Sequence, residues 1–276
     1  MALTVNTNTA ANRAMSELNK SARALSGSFA RISSGLRISK AADDAAGLGV
    51  AENLRVAAAS AKVAQRNVGD GISMVTVAEG ASAEVASMLG RMRELAVQSA
   101  SETLGTAERA YVQDEFVALS GEIDRIAEVT EFNGLLLTEG TITSISVQVG
   151  IHATANDQVA ISLGDLGSVA LGVDTGAVDL STAAFASTAI GLIDIAIDLV
   201  SAYRSDYGAA ENRLLGALNN LESFTENTLA AESAIRDADF GYETAEMSKN
   251  QILQQAGTAI LAQAKSMNQG ALQLLQ

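Results

Sequence analysis

The residues best equipped for chemistry are few and poorly placed for it. His152 is the only histidine, and the chain has no cysteine. A Ser-His-Asp hydrolase would have to route its proton transfers through His152, which sits among strand-like residues, where a lone histidine is an edge or surface residue. An HExxH zinc site needs two histidines. Asp165, Asp174 and Asp179 match no calcium-loop spacing, and carboxylates that cap turns explain them as well. Gly47 and Gly49 make a GxG with no strand before it and no third glycine after it, so it is not a nucleotide loop. The expectation is a chain with no catalytic residue, no cofactor and no metal. The Ser and Thr residues from Thr175 to Thr188 are hydroxyls that an exterior surface could offer to O-linked glycans.

The elements around these residues explain why. The 276 residues include no Pro, no Trp and few aromatics. Without Pro the strongest helix breaker is missing, and with few aromatics the core must be built from Ala, Leu, Ile and Val. The net charge of −14 is uneven. Arg13, Lys20, Arg23, Arg31, Arg37 and Lys40 face Glu17 alone in the first forty residues, whereas no Lys or Arg occurs between Ile126 and Tyr203. That acidic middle excludes a nucleic-acid footprint. No window approaches the roughly eighteen uninterrupted apolar residues of a membrane span. The first twenty residues lack an apolar core and a cleavage site, so export, if it occurs, is expected to bypass the ordinary secretory signal.

Helical periodicity dominates. Ala11, Met15, Leu18, Ala22, Leu25, Phe29, Ile32 and Leu36 alternate four- and three-residue steps, a heptad seam for a partner helix. Ser33-Ser34-Gly35 breaks it, and Asp43 and Asp44 then stand where carboxylates favour a helix start. Ile72, Val75, Ala78, Val85, Leu89, Met92 and Ala96 keep heptad phase, and Val112, Phe116, Leu119, Ile123 and Ile126 form a clearer stripe that stops at Phe132-Asn133-Gly134. The period then becomes two. Ile145, Val147, Val149 and Ile151 make one strand, Val159, Ile161 and Leu163 its hairpin partner, and Val169, Leu171 and Val173 suggest a third. Helix returns with Ile190, Ile193, Ile197, Val200, Arg204, Tyr207, Glu211, Leu214, Leu218 and Leu221, where Arg204 and Glu211 read as polar guests in the seam. Asp237 to Gly241 is a second break, followed by Leu253, Ala256, Ile260, Ala264, Met267, Ala271 and Leu274.

The layout is mirrored, and it predicts a mainly α fold: an elongated rod of long antiparallel helices, with terminal coiled-coil helices and one small β-hairpin region. Three segments are expected: residues 1–40 as an N-terminal coiled-coil segment and the start of a connecting spoke; 41–235 as a rod with long helices at 45–100, 107–130 and 185–235 and a β region at 141–174; and 236–276 as spoke and C-terminal coiled coil. The terminal helices carry unsatisfied apolar stripes, which predicts ordering by neighbouring subunits.

Several long runs resemble the bacterial flagellins over nearly the whole chain. They are Arg31-Ile32-Ser33-Ser34-Gly35-Leu36-Arg37-Ile38, Asp43-Asp44-Ala45-Ala46-Gly47, Asn67-Val68-Gly69-Asp70-Gly71-Ile72-Ser73, Arg93-Glu94-Leu95-Ala96-Val97-Gln98, Glu122-Ile123-Asp124-Arg125-Ile126, Phe132-Asn133-Gly134, Arg236-Asp237-Ala238-Asp239-Phe240 and Gln251-Ile252-Leu253-Gln254-Gln255-Ala256-Gly257. The resemblance implies a structural subunit of the extracellular flagellar filament, exported through the flagellum's own type III route, with a chaperone on the C-terminal helix and cap and hook-junction proteins as assembly partners. It implies a short form of core domains only, since Thr175 to Ser187 is a loop where many members insert outer domains. The expected self-assembly core is Leu18, Leu25, Phe29, Ile32, Leu36, Leu253, Ile260, Met267 and Leu274. Arg91, Leu95 and Glu115 match the positions by which some flagellins are recognised by an animal Toll-like receptor. The rival expectation is a hook–filament junction protein with the same terminal architecture.

Overall fold

The computed structural model describes residues 8–273 and is mainly α. Six helices run as α1 (Thr9–Ser34), α2 (Ala45–Ala100), α3 (Thr106–Val129), α4 (Ser168–Leu171), α5 (Ala183–Arg236) and α6 (Phe240–Gln273). Four short strands lie between α3 and α4: β1 (Glu131–Phe132), β2 (Leu135–Leu136), β3 (Ser144–Gln148) and β4 (Gln158–Ser162). The chain forms two compact units, Met1–Ala57 with Glu226–Gln276, and Ala58–Thr225. The divisions fall inside α2 and α5, because each of those helices continues through the residue where packing partners change.

In the unit spanning 58–225, α2 lies antiparallel to both α3 and α5. Arg91 reaches Glu115 on α3, while Glu79 meets Arg204 and Arg93 meets Asp194 on α5. One core gathers Val85, Leu89, Met92 and Ala96 of α2, Val112, Phe116 and Ile123 of α3, and Ala189, Ile193 and Val200 of α5. A second joins Val68, Val75 and Ala78 to Val147, Val159, Ile161, Tyr207 and Leu214. Among the described helices α5 alone is apolar and long enough to cross a membrane by length and composition; its Ala186, Ala189, Ile193, Ala196 and Val200 serve as core residues here. The turn between α2 and α3 is closed by buried Arg109, which donates to the carbonyls of Ser99 at 3.0 Å and Ser101 at 2.9 Å, a cation on a helix C-terminus.

The β segment pairs β3 with β4 antiparallel, from Ser144 opposite Ser162 to Gln148 opposite Gln158. Val147, Val159 and Ile161 point into the core and alternate with exposed Ser146, Gln158 and Ala160. The helix-stop signal at Phe132-Asn133-Gly134 builds more than a stop. Asn133 (φ 50) and Gly134 (φ 78) form the turn of a hairpin that pairs Glu131 with Leu136 and Phe132 with Leu135, the left-handed pair that a two-residue hairpin requires.

Two sequence expectations need correction. Val169, Leu171 and Val173 do not make a third strand; Ser168–Leu171 is a helical turn, started by the Asp124 carboxylate accepting from the Ser168 backbone N–H at 2.7 Å and its hydroxyl at 2.9 Å. Arg204 and Glu211 are not seam guests. Tyr203 and Ala210 take the inward positions, and Arg204 lies outside, bonded to Glu79. The loop before α5 is anchored: Val178 and Leu180 are buried, and Ser99 donates to the Leu180 carbonyl at 2.6 Å.

Candidate assembly surface

The unit built from the two chain ends pairs α1 antiparallel with α6. Asn8 caps α1 by accepting from Ala11 N–H at 2.9 Å, and its amide donates to the Ala264 carbonyl at 3.0 Å. At the opposite end Arg31 Nε donates to Glu243 Oε1 at 2.6 Å. Glu243 is buried, and that hydrogen bond holds the Arg31 guanidinium above its ordinary pKa.

The residues α1 turns toward α6 are Ala11, Ala14, Leu18, Ser21, Leu25, Ser28 and Ile32. Large residues alternate with small ones, so the backbones approach closely. The facing residues of α6 are Glu243, Met247, Asn250, Gln254, Gly257, Leu261 and Ala264. This seam is polar or small over most of its length. Gly257 lies at the close approach: a Cβ there would stand 3.0 Å from Leu18 Cδ1, and the leucine would have to shift by a few tenths of an ångström.

Placement of the expected self-assembly residues follows from that phase. Leu18, Leu25, Ile32 and Leu36 are half-buried. Phe29 (50 % exposed), Leu253 (47 %) and Ile260 (60 %) face outward, together with Met15 and Ile252. Leu253, Ala256 and Ile260 instead form one wall of an open groove of about 680 Å³, whose other wall is Thr9, Ala10, Arg13, Ala14 and Glu17 of α1. Leu274 lies outside the described residues, and nothing is described of the Met267 side chain. Exposed apolar side chains aligned on a helix pair are the usual mark of a protein-binding face.

The two breaks flanking these helices are stitched to each other. Leu36 and Asp237 form an antiparallel bridge; Arg37 N–H donates to the Arg236 carbonyl at 2.7 Å and Ala238 N–H to the Gly35 carbonyl at 2.9 Å. Arg37 also donates through its side chain to the Ile235 carbonyl. The first break then turns into α2 through two carboxylates. Asp43 accepts from Ser39 and Lys40 N–H, which lowers its pKa, and Asp44 accepts from Gly47 N–H at 2.8 Å. Nothing in the hydrophobic pattern marks this bridge; the signal available was the presence of a matching break at both ends.

The positions matched to receptor recognition separate. Arg91 donates to Glu115 at 2.8 and 2.9 Å and to Glu94 at 2.9 Å on the surface, whereas Leu95 is 1 % exposed inside the core. Leu95 is therefore a packing residue beneath the exposed Arg91–Glu115 pair. His152 is exposed, with Asp157 at 4.0 Å, and among the described residues no group of three or more His, Cys, Asp or Glu could hold a metal ion.

Two family models match the chain: the bacterial flagellin N-terminal helical region over residues 5–143 and the bacterial flagellin C-terminal helical region over residues 190–275. A flagellin of Halalkalibacterium halodurans is 43 % identical over 246 residues, covering 89 % of this chain and 90 % of its own. A flagellin of Bacillus subtilis is 38 % identical over 306 residues, covering 99 % of each. A flagellar filament core protein of Brachyspira hyodysenteriae is 40 % identical over 263 residues, covering 91 % of this chain and 92 % of its own. Among solved structures, Bacillus cereus flagellin is similar over 56 % of this chain and 88 % of its own, with 32 % identity and a TM-score of 0.50. A hook-associated protein of Vibrio parahaemolyticus reaches a TM-score of 0.58 at 14 % identity, covering 71 % of this chain and 100 % of its own, a likeness of fold alone.

Proposed function

The chain belongs to the bacterial flagellin family and is a structural subunit of the flagellar filament, and from that premise we propose that its terminal helix pair is completed only by the helix pairs of neighbouring copies. The observation that carries this is the phase of α6. Its intramolecular seam is polar or small over most of its length, while Leu253 and Ile260, with Phe29 on α1, are about half exposed or more. Burying each such side chain contributes ~1.5–3 kcal/mol, whereas ordering the backbone costs ~1–2 kcal/mol per residue. The isolated pair is thus marginal, and the missing contribution comes from other subunits. The contacts must be heterologous, so that repetition yields an open helix.

The filament lies outside the cell, and secretion through the flagellum's own export route, an export chaperone on α6 and cap and hook-junction proteins at assembly are parts of the same reading, as is a role in swimming. The chain works by assembly and catalyses nothing. A junction role needs only the shared fold and gains no support from the names of the relatives. Recognition by the flagellin-sensing Toll-like receptor would use Arg91 and Glu115 as the exposed contact and Leu95 as their support. Electron microscopy of the concentrated protein tests the central reading: long uniform filaments are expected, and discrete particles at every concentration would overturn it.

A further inference from the structure

The α1–α6 pair poses a problem of choice. α6 carries an apolar stripe of Leu253, Ala256 and Ile260, each one residue before Gln254, Gly257 and Leu261 of the seam it actually presents. A roll of about 100°, one residue of helix, would bury that stripe against α1 and cover the surface on which assembly rests. Over Leu253–Ile260 apolar burial favours the rolled state; towards the start of α6 the roll would bring Glu246 and Lys249 onto the seam in place of Met247 and Asn250, so opposition to it is concentrated at that end.

We infer that the pair of part-exposed Arg31 with buried Glu243 is a phase lock, which holds α6 with its apolar stripe outward and thereby keeps the subunit competent to assemble. This rests on the filament-subunit reading and specifies what preserves its docking face. Glu243 is 5 % exposed, bonds Arg31 through Oε1 at 2.6 Å and makes no hydrogen bond through the equally buried Oε2. A half-satisfied buried carboxylate is a poor device for stability, since apolar pairs of similar volume commonly match or exceed such ion pairs. It is a good device for selecting one arrangement, because the rolled state moves Glu243 off the seam and leaves Arg31 facing a helix without its partner. Ser28, adjacent to the pair and buried, and Asn250 two turns along α6 continue the polar character of the seam. Gly257 adds a steric contribution: it admits Leu18 closely, whereas Ala256, the residue a roll would bring there, would push the Leu18 side chain aside.

The absence of cysteine gives a direct test in the full-length chain. Ile260→Cys places a single thiol on the stripe, and its rate of maleimide labelling in the monomer reports whether the stripe is exposed. Into this background go Arg31→Leu with Glu243→Leu, and separately the exchange Arg31→Glu with Glu243→Arg. The leucine pair is expected to keep its helix content, to label about tenfold more slowly, and, without the cysteine, to elongate wild-type filament seeds about tenfold more slowly, an effect equivalent to ~1.4 kcal/mol. The exchanged pair is expected to restore both rates. Unchanged labelling in the leucine pair would overturn the lock, and so would loss of helix content, which would make the ion pair a plain stabiliser. The labelling readout is made on monomers, so it stands or falls separately from whether the wild-type chain forms filaments.

Discussion

Tyr207, fully buried on α5, accepts a hydrogen bond at 3.0 Å from the backbone N–H of Gly164, the residue that leaves the β3–β4 hairpin. Burial pushes the Tyr207 hydroxyl above its ordinary pKa. A single side chain thus closes the hairpin onto the helix and satisfies a main-chain donor in the core. Tyr207→Phe keeps the packing and orphans that N–H, so thermal unfolding should show a loss of ~1–3 kcal/mol. An unchanged Tm would mean that the donor has another partner.

Gly164 meets the same helix a second way. A Cβ there would lie 2.4 Å from Tyr203 Cδ2, and a ring in a packed core yields little. Gly164→Ala should cost ~1–3 kcal/mol through overpacking, measured by denaturant unfolding, and Tyr203→Leu in the same chain should recover part of it. Additive losses in the double variant would show that the clash lies elsewhere.

Acid should weaken the unit at its exposed ion pairs. Arg93 holds the Asp194 carboxyl below its ordinary value of 3.8 through a hydrogen bond at 2.6 Å, and Arg125 does the same for Glu122. A lowered folded-state pKa means that the contribution is present above the ordinary value and is lost as pH falls through the lowered one. Asp194→Asn should therefore lower Tm slightly at neutral pH, with the wild-type and variant curves converging in acid. Curves that stay parallel would remove Asp194 from the account. The pairs are solvent-exposed, and the effect is small.

Deleting Gln263 to Gln276 removes the Ala264 carbonyl that receives Asn8. The chain should remain soluble and helical by circular dichroism, because neither core between 58 and 225 uses those residues. It should form no filaments by electron microscopy. Normal filaments from the truncated chain would contradict assembly through the terminal helices.

Depolymerised protein should activate a Toll-like receptor reporter, and Arg91→Ala with Glu115→Ala should reduce the response several-fold while leaving the core intact. Two exposed, salt-bridged residues are the predicted contact; an unaltered response in the double variant would place recognition elsewhere.

The helical class, the strand pair and the family were readable from periodicity and motif, but the phase of the seams was readable only in part. On α1 the apolar heptad picks Met15 and Phe29, and the structure uses Ala14 and Ser28, with Ser21 and Ala22 both half-buried; on α5 it picks Arg204 and Glu211, and the structure uses Tyr203 and Ala210, while Ile197 packs beside fully buried Ala196. Every second position is right, and these intervening ones are displaced by one residue. On α1 the cause is packing distance: Ala14 and Ser28 are small, whereas a hydrophobicity pattern credits Met15 and Phe29. On α5 the strict three-and-four spacing lands on Arg204 and Glu211, although the more apolar Tyr203 and Ala210 stand one residue earlier. On α6 the displacement covers the stripe itself, since a polar contact sets the phase there. The helical turn at Ser168–Leu171 was hidden for a different reason: four residues cannot display a period, and its start depends on Asp124, forty-four residues away.

The bridge between Leu36 and Asp237 has an evolutionary consequence. Its rungs are main-chain N–H and carbonyl groups of residues 35–38 and 236–238, which every amino acid but one supplies equally. Substitutions at Leu36 or Asp237 leave those rungs in place, whereas Gly35, Arg37 and buried Ile38 are held by a left-handed φ, a side-chain hydrogen bond and packing. Proline at Arg37 or Ala238 would delete a rung outright, and the chain contains no proline anywhere.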